Sequence, residues 1–115
     1  MKKTFLSIAV LLGSLNLFAQ TNQELVQKGK ELTSKNGCIA CHKEYGPNLA
    51  PGYSGIGIKY KKSAGKNAVT EITKVIAKGS KGQYPKFKNS SMPPYAHLSE
   101  ADRKAIATYI VSLSK

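Results

Sequence analysis

Cys38, Cys41 and His42 carry the chemistry most legible in this chain. They stand in the run Cys38-Ile39-Ala40-Cys41-His42, a C-x-x-C-H spacing that is the attachment signature for c-type haem. Two thiols one helical turn apart can each add to a vinyl group on the porphyrin edge, forming thioethers. The chain between them then holds His42 beneath the iron as a ligand. Other chemistries compete for the same residues. A disulfide oxidoreductase also uses C-x-x-C, but it needs a strand-helix setting, and no stretch here alternates with period two for long enough to support a sheet. Zinc needs a fourth ligand. His97 is the only other histidine, and adjacent Cys41 and His42 make poor joint ligands. A structural disulfide over so short a span leaves His42 without a role. The spacing points to one covalently bound haem c.

A low-spin iron also needs a sixth ligand. Apart from Met1, the one methionine is Met92, in Ser91-Met92-Pro93-Pro94, fifty residues after His42. The two prolines stiffen the backbone and remove two N–H donors, so the thioether can be presented from a stiff, dry loop. A lone methionine is often core filler, but one in a Pro-rich loop has no helix face to fill. Met92 is therefore expected on the iron, with His97, just before the last helical pattern, as its competitor.

These groups must be positioned by helices. Thr21-Asn22-Gln23-Glu24 has the form of a capping box, followed by Leu25, Gly29 and Leu32 on one face and stopped at Gly37. Asn67 can cap a helix carrying Val69, Ile72, Val75 and Ile76, ending at Gly79. Ser99 and Asp102 make a second box before the stripe Ile106, Tyr109, Ile110 and Leu113. A shorter helical turn is expected around Ile56 to Tyr60. The stretches 37–53 and 79–98 are rich in Gly, Pro and Tyr. Loops this long are unusual in a compact domain and make sense wrapped around something that is not protein.

The 115 residues allow one small domain. Lys2 and Lys3, an apolar run from Phe5 to Phe18 and a small residue at Ala19 have the layout of a secretory signal peptide. Residues 1–20 are thus expected to be removed near Ala19 or Gln20, leaving 21–115 as a domain that is periplasmic or otherwise exported. The run is too short and interrupted for stable membrane insertion. Eighteen Lys and Arg against six Asp and Glu give a net charge of +12, and seventeen of the eighteen are Lys. Six scattered carboxylates exclude a calcium-loop protein. The excess calls for a negatively charged partner, but no nucleic-acid-binding motif is present.

Taken together, the sequence resembles the class I cytochromes c, nearest the small bacterial monohaem electron carriers. The resemblance rests on Gly37-Cys38-Ile39-Ala40-Cys41-His42, Gly46-Pro47, Gly79-Ser80-Lys81-Gly82, Met92-Pro93-Pro94 and the closing helix from Leu98 to Leu113. It implies an all-α fold of three to five helices with long loops around one haem. It also implies that the Pro47 carbonyl orients His42, and that Gly29 and Tyr109 lie where the first and last helices cross. With no Trp in the chain, Tyr84 takes the place of the ring donor that bonds a haem propionate. The function implied is single-electron transfer by a monomeric carrier rather than an enzyme. Lys35, Lys43, Lys59, Lys61, Lys62, Lys86 and Lys88 would steer it onto redox proteins with acidic faces, such as a terminal oxidase or peroxidase. Two alternatives predict different behaviour. A haem peroxidase or ligand sensor needs Met92 to leave the iron, and a thiol oxidoreductase would be colourless.

Overall fold

Thr21 starts the first helix as the capping box predicts, its hydroxyl accepting from the Glu24 N–H at 3.1 Å. In the computed structural model, residues 20–115 are described; the expected signal peptide lies outside them apart from Gln20. Four α-helices follow one another: α1 (Asn22–Lys35), α2 (Tyr53–Ala64), α3 (Ala68–Lys78) and α4 (Glu100–Ser112). Ser99 caps α4 by accepting from the Asp102 N–H at 3.1 Å. Each of these two caps is worth about 1 kcal/mol.

Two expectations are adjusted. Asn67 does occupy the position before α3, but its side chain caps nothing. A three-residue 3₁₀ turn, Gly65–Asn67, runs directly into the helix and leaves the asparagine backbone outside the extended geometry that a side-chain cap uses. The short turn around Ile56 to Tyr60 is a twelve-residue helix. Two two-residue strands, β1 (Ser80–Lys81) and β2 (Ser91–Met92), pair antiparallel, Ser80 with Met92 and Lys81 with Ser91. They are too short to have a legible alternation.

The first and last helices, α1 and α4, pack against each other. A Cβ built on Gly29 would fall 2.1 Å from the Ala105 carbonyl oxygen and 2.7 Å from Tyr109 Cβ, so the two backbones approach where only glycine fits. The predicted stripe of α4 is inward: Ile106, Tyr109 and Ile110 are buried, together with Ile72 and Ile76 of α3 and Tyr53 at the start of α2. Each such side chain contributes roughly 1.5–3 kcal/mol when fully withdrawn from water. Among the described residues no helix is long and apolar enough to cross a membrane.

Candidate functional site

Beyond α1 the chain closes one tight turn that sets the C-x-x-C-H residues. Cys38–Ala40 form a 3₁₀ turn, and the Cys38 carbonyl accepts from the N–H groups of both Cys41 (3.2 Å) and His42 (3.0 Å). The two cysteines are not bridged to each other; Cys38 is half-buried and Cys41 exposed. Burial pushes the Cys38 thiol above its ordinary value, partly offset by a backbone hydrogen bond.

His42 Nδ1 lies 2.7 Å from the Pro51 carbonyl oxygen. A carbonyl only accepts, so Nδ1 carries the proton and the neutral ring keeps its lone pair on Nε2 for a metal. The orienting carbonyl is therefore that of Pro51, not Pro47. The reason lies in the loop. Residues 45–48 are exposed and the chain returns through Ala50 N–H to the Cys41 carbonyl (3.1 Å), with Tyr53 N–H bonded to the Lys43 carbonyl (2.9 Å). Only after that return does a carbonyl reach the ring, and Pro47 is among the exposed residues before it. Tyr53 stacks on His42, ring centroids 5.4 Å apart at 23°. Tyr109 meets Tyr53 edge-on at 5.6 Å and donates its hydroxyl to Glu44 Oε1 at 2.6 Å. The His42 ring is thus gripped by a carbonyl and a buried aromatic pair that reach back to α4.

The second long loop is fixed at several points. Met92 pairs with Ser80 across the short ribbon. Gly79, at φ 76°, tucks against the Met92 carbonyl so closely that a Cβ there would lie 2.6 Å from its oxygen. The Tyr95 N–H donates to the Ile76 carbonyl (2.9 Å), and Arg103 of α4 donates to the carbonyls of Ala96 and Leu98.

Both loops close on one cavity of about 380 Å³, within the range of small-molecule and cofactor pockets, whose wall includes Cys38, Cys41, His42, Pro51, Tyr84 and Met92. Ile72, Val75 and Ile76 of α3 with Ile106 and Ile110 of α4 supply its apolar side. Neither Pro47 nor His97 lines it. His97 is exposed and packs beside Tyr95 instead. Tyr84 lines the cavity with its hydroxyl buried and unpartnered, and burial, helped by Tyr60, pushes its pKa up to about 12. Sequence reasoning missed Pro51, Tyr53 and Tyr95. A second proline nine residues beyond His42 was the available signal for the first of them.

The pattern and the cavity have counterparts in known proteins. The family model for cytochrome c matches residues 26–114. The chain belongs to the cytochrome c family. Among its relatives, cytochrome c2 of Rubrivivax gelatinosus is 37% identical over 81 residues, covering 70% of this chain and 92% of the relative. Cytochrome c-552 of Nitrosomonas europaea is 34% identical over 87 residues, covering 76% and 80%. The crystal structure of wild-type Nitrosomonas europaea cytochrome c552 superposes with a TM-score of 0.64 at 34% identity, covering 74% of this chain and 99% of that one. The all-α fold is thus that of the class I cytochromes.

Covalent haem c is the cofactor of this cytochrome, and haem-based electron transfer is its chemistry. The residues present fit the group. Two cysteines in the C-x-x-C-H run border an apolar cavity, a histidine there has its Nδ1 proton already committed, and a buried hydroxyl at the wall has no protein partner. Among the described residues no cluster of three His, Cys, Asp or Glu forms an alternative metal site.

Proposed function

We propose that this cytochrome is an exported, monomeric single-electron carrier, held to its haem by Cys38 and Cys41 and to the iron by His42 and Met92. When bound, haem supplies a one-electron ferric/ferrous couple. His42 Nε2 is the lone pair left free by the Pro51 bond, and Met92 is the one sulfur ligand that its stiffened loop brings to the cavity wall. The observation that carries the proposal is that His42 and Met92 line the same cavity while His97 lines none of it. A thioether ligand favours the ferrous form, and the apolar side given by Ile72, Ile76, Ile106 and Ile110 disfavours the extra ferric charge, so both raise the potential. With His42 and Met92 as its two protein ligands the iron would have no open position for a substrate, which is why we class the protein as a carrier and not an enzyme.

Charge placement supports an acidic redox partner. Of the sixteen basic side chains beyond the leader, nine lysines fall in residues 45–99, against the single carboxylate Glu71. Only Lys74 of those nine is in an ion pair among the described residues, with Glu71 at 3.2 Å. Such an excess of unpaired lysines speeds encounter with an acidic surface while leaving the complex weak enough to separate. We infer that residues 1–20 are the cleaved signal peptide that takes the domain to the periplasm.

The test is a pair of variants made in a host that matures c-type haem. Met92→Ala should abolish the weak far-red methionine-to-iron band and let added imidazole bind. His97→Ala should leave the spectrum unchanged. Loss of the band in His97→Ala with retention in Met92→Ala would reject the ligand assignment.

A further inference from the structure

The Pro51 bond fixes where His42 Nδ1 points but not the plane of the ring. An imidazole can still turn about that bond, because the torsion joining a flat ring to its stem has only broad preferences. Against the ring face stands Tyr53, stacked at 5.4 Å and 23°. Tyr53 is 2% exposed, and its N–H is bonded at 2.9 Å to the carbonyl of Lys43, the residue after His42. Its ring is kept from turning by Tyr109, edge-on behind it at 5.6 Å and 67°. The Tyr109 hydroxyl is held in turn by Glu44 at 2.6 Å, two residues beyond His42. The contacts run from His42 through Tyr53, Tyr109 and Glu44 and back along the chain to His42, a closed circuit. Filling space alone does not call for it. Among the described residues the other buried apolar side chains are all Ile or Ala, and the two buried phenols both lie behind His42. An aliphatic residue fills volume but offers no flat face to an imidazole. The Tyr53 hydroxyl has no hydrogen-bond partner among the described residues, so it is the ring face that meets the histidine.

We propose that Tyr53 is a positioning residue that sets the plane in which His42 offers Nε2 to the iron, its ring face acting through the His42 ring and its hydroxyl taking no part. The proposal rests on the haem-carrier reading above. Partners behind a ligating histidine fix its orientation as well as its tautomer; here Pro51 fixes the tautomer and Tyr53 the plane. The consequence is spectroscopic. In a low-spin ferric haem the unpaired electron spreads over the porphyrin according to the orientation of the axial ligands, so the His42 plane is written into the haem methyl proton shifts. A ring free to turn averages that pattern.

Proton NMR of the haem-loaded protein tests this in Tyr53→Phe, Tyr53→Met and Tyr109→Phe, with methyl shifts read in the ferric form and exchange of the His42 Nδ1 proton in the ferrous form. Tyr53→Phe keeps the face and should keep the parent's methyl order, spread and exchange rate. Tyr53→Met refills the space with a flexible chain and should narrow or reorder the methyl shifts and speed the exchange several-fold. Tyr109→Phe keeps the edge behind Tyr53 but loses its bond to Glu44. It should melt lower with the parent's methyl pattern, which separates lost stability from a lost plane. A parental pattern and exchange rate in Tyr53→Met, with only a lower melting temperature, would make Tyr53 packing alone and overturn the proposal. A Tyr53→Phe pattern as altered as that of Tyr53→Met would overturn it too. Should Tyr53→Met not fold, the parent protein decides: its pseudocontact shifts must place the His42 plane nearly parallel to the Tyr53 ring, and a crosswise plane would overturn the assignment. A far-red band retained throughout shows the carrier reading standing whichever way the methyl shifts fall, so the two ideas fail separately.

Discussion

Replacing Gly79 by alanine strikes the Met92 loop at its most crowded point. The Cβ would lie 2.6 Å from the Met92 carbonyl oxygen, 3.0 Å from the Pro94 nitrogen and 3.1 Å from the Pro93 carbonyl carbon, all backbone atoms that no side-chain rotation can relieve. The residue also has φ 76° and ψ 178°, a region essentially confined to glycine that costs an L-residue about 1–3 kcal/mol. Overpacking of this kind adds about 1–3 kcal/mol, for a total of about 2–6 kcal/mol. In a domain of about 95 residues each kcal/mol moves the melting temperature by roughly 4–8 °C, so a fall of at least about 8 °C is expected. The contact is with the strand that carries the proposed ligand, so the damage should be local as well as global. The far-red band should weaken, and imidazole should bind more readily at temperatures where the fold is intact. Thermal melts in both oxidation states, with absorbance in the far red, read both effects. A melting temperature within about 2 °C of the parent and an undiminished band would refute the close approach of Gly79 to Met92, and with it the view that the short ribbon presents the methionine.

Other consequences follow from the same contacts. Gly29→Ala forces a Cβ to within 2.1 Å of the Ala105 carbonyl and should part α1 from α4; circular dichroism is expected to show a melting temperature lowered more than in Gly79→Ala. Tyr109→Phe removes a hydrogen bond to a carboxylate, 2.6 Å long, and should cost about 1.5–3 kcal/mol in denaturant titrations at neutral pH. Burial, reinforced by Glu44, raises the Tyr109 pKa above its ordinary value of 10.0, and burial does the same for Tyr53 and Tyr84. The neutral phenols are thus favoured in the fold, so this stability is fully present below about pH 10 and is lost as pH rises beyond it. Alkaline melts should show a steep decline that is shallower in Tyr109→Phe. Reversing Lys61 and Lys62 to Glu should slow electron exchange with an acidic partner several-fold at low salt and little at high salt, whereas reversing Lys28, already 3.1 Å from Asp102, should change it far less.

Much of the site is readable from the sequence because its signals are local. The C-x-x-C-H run lies within one turn, and the caps at Thr21 and Ser99 each span four residues. The inward stripe of α4 repeats with helical period. What could not be read depends on backbone closure. The choice of Pro51 over Pro47 is made by the bond from Ala50 to the Cys41 carbonyl and by the exposed course of residues 45–48, neither of which has a residue-type signature. The full length of α2 was hidden by Gly55 and Gly57, which lower helix propensity. Gly57 is there because a Cβ would fall 2.9 Å from the Ile110 carbonyl oxygen. Tertiary packing against α4 outweighs the local preference. Tyr53 and Tyr95 were invisible for the same reason: their partners are His42 and Ile76, distant in sequence and joined only by the fold.

The most direct test of the carrier assignment is a visible spectrum of the protein matured with c-type haem, recorded oxidised, reduced, and reduced under carbon monoxide. A red product is expected, with sharp reduced bands, a weak far-red band when oxidised, and no change on adding carbon monoxide. Covalent haem that lacks the far-red band and binds carbon monoxide without denaturation would contradict His42/Met92 ligation and with it the account of a closed, single-electron carrier.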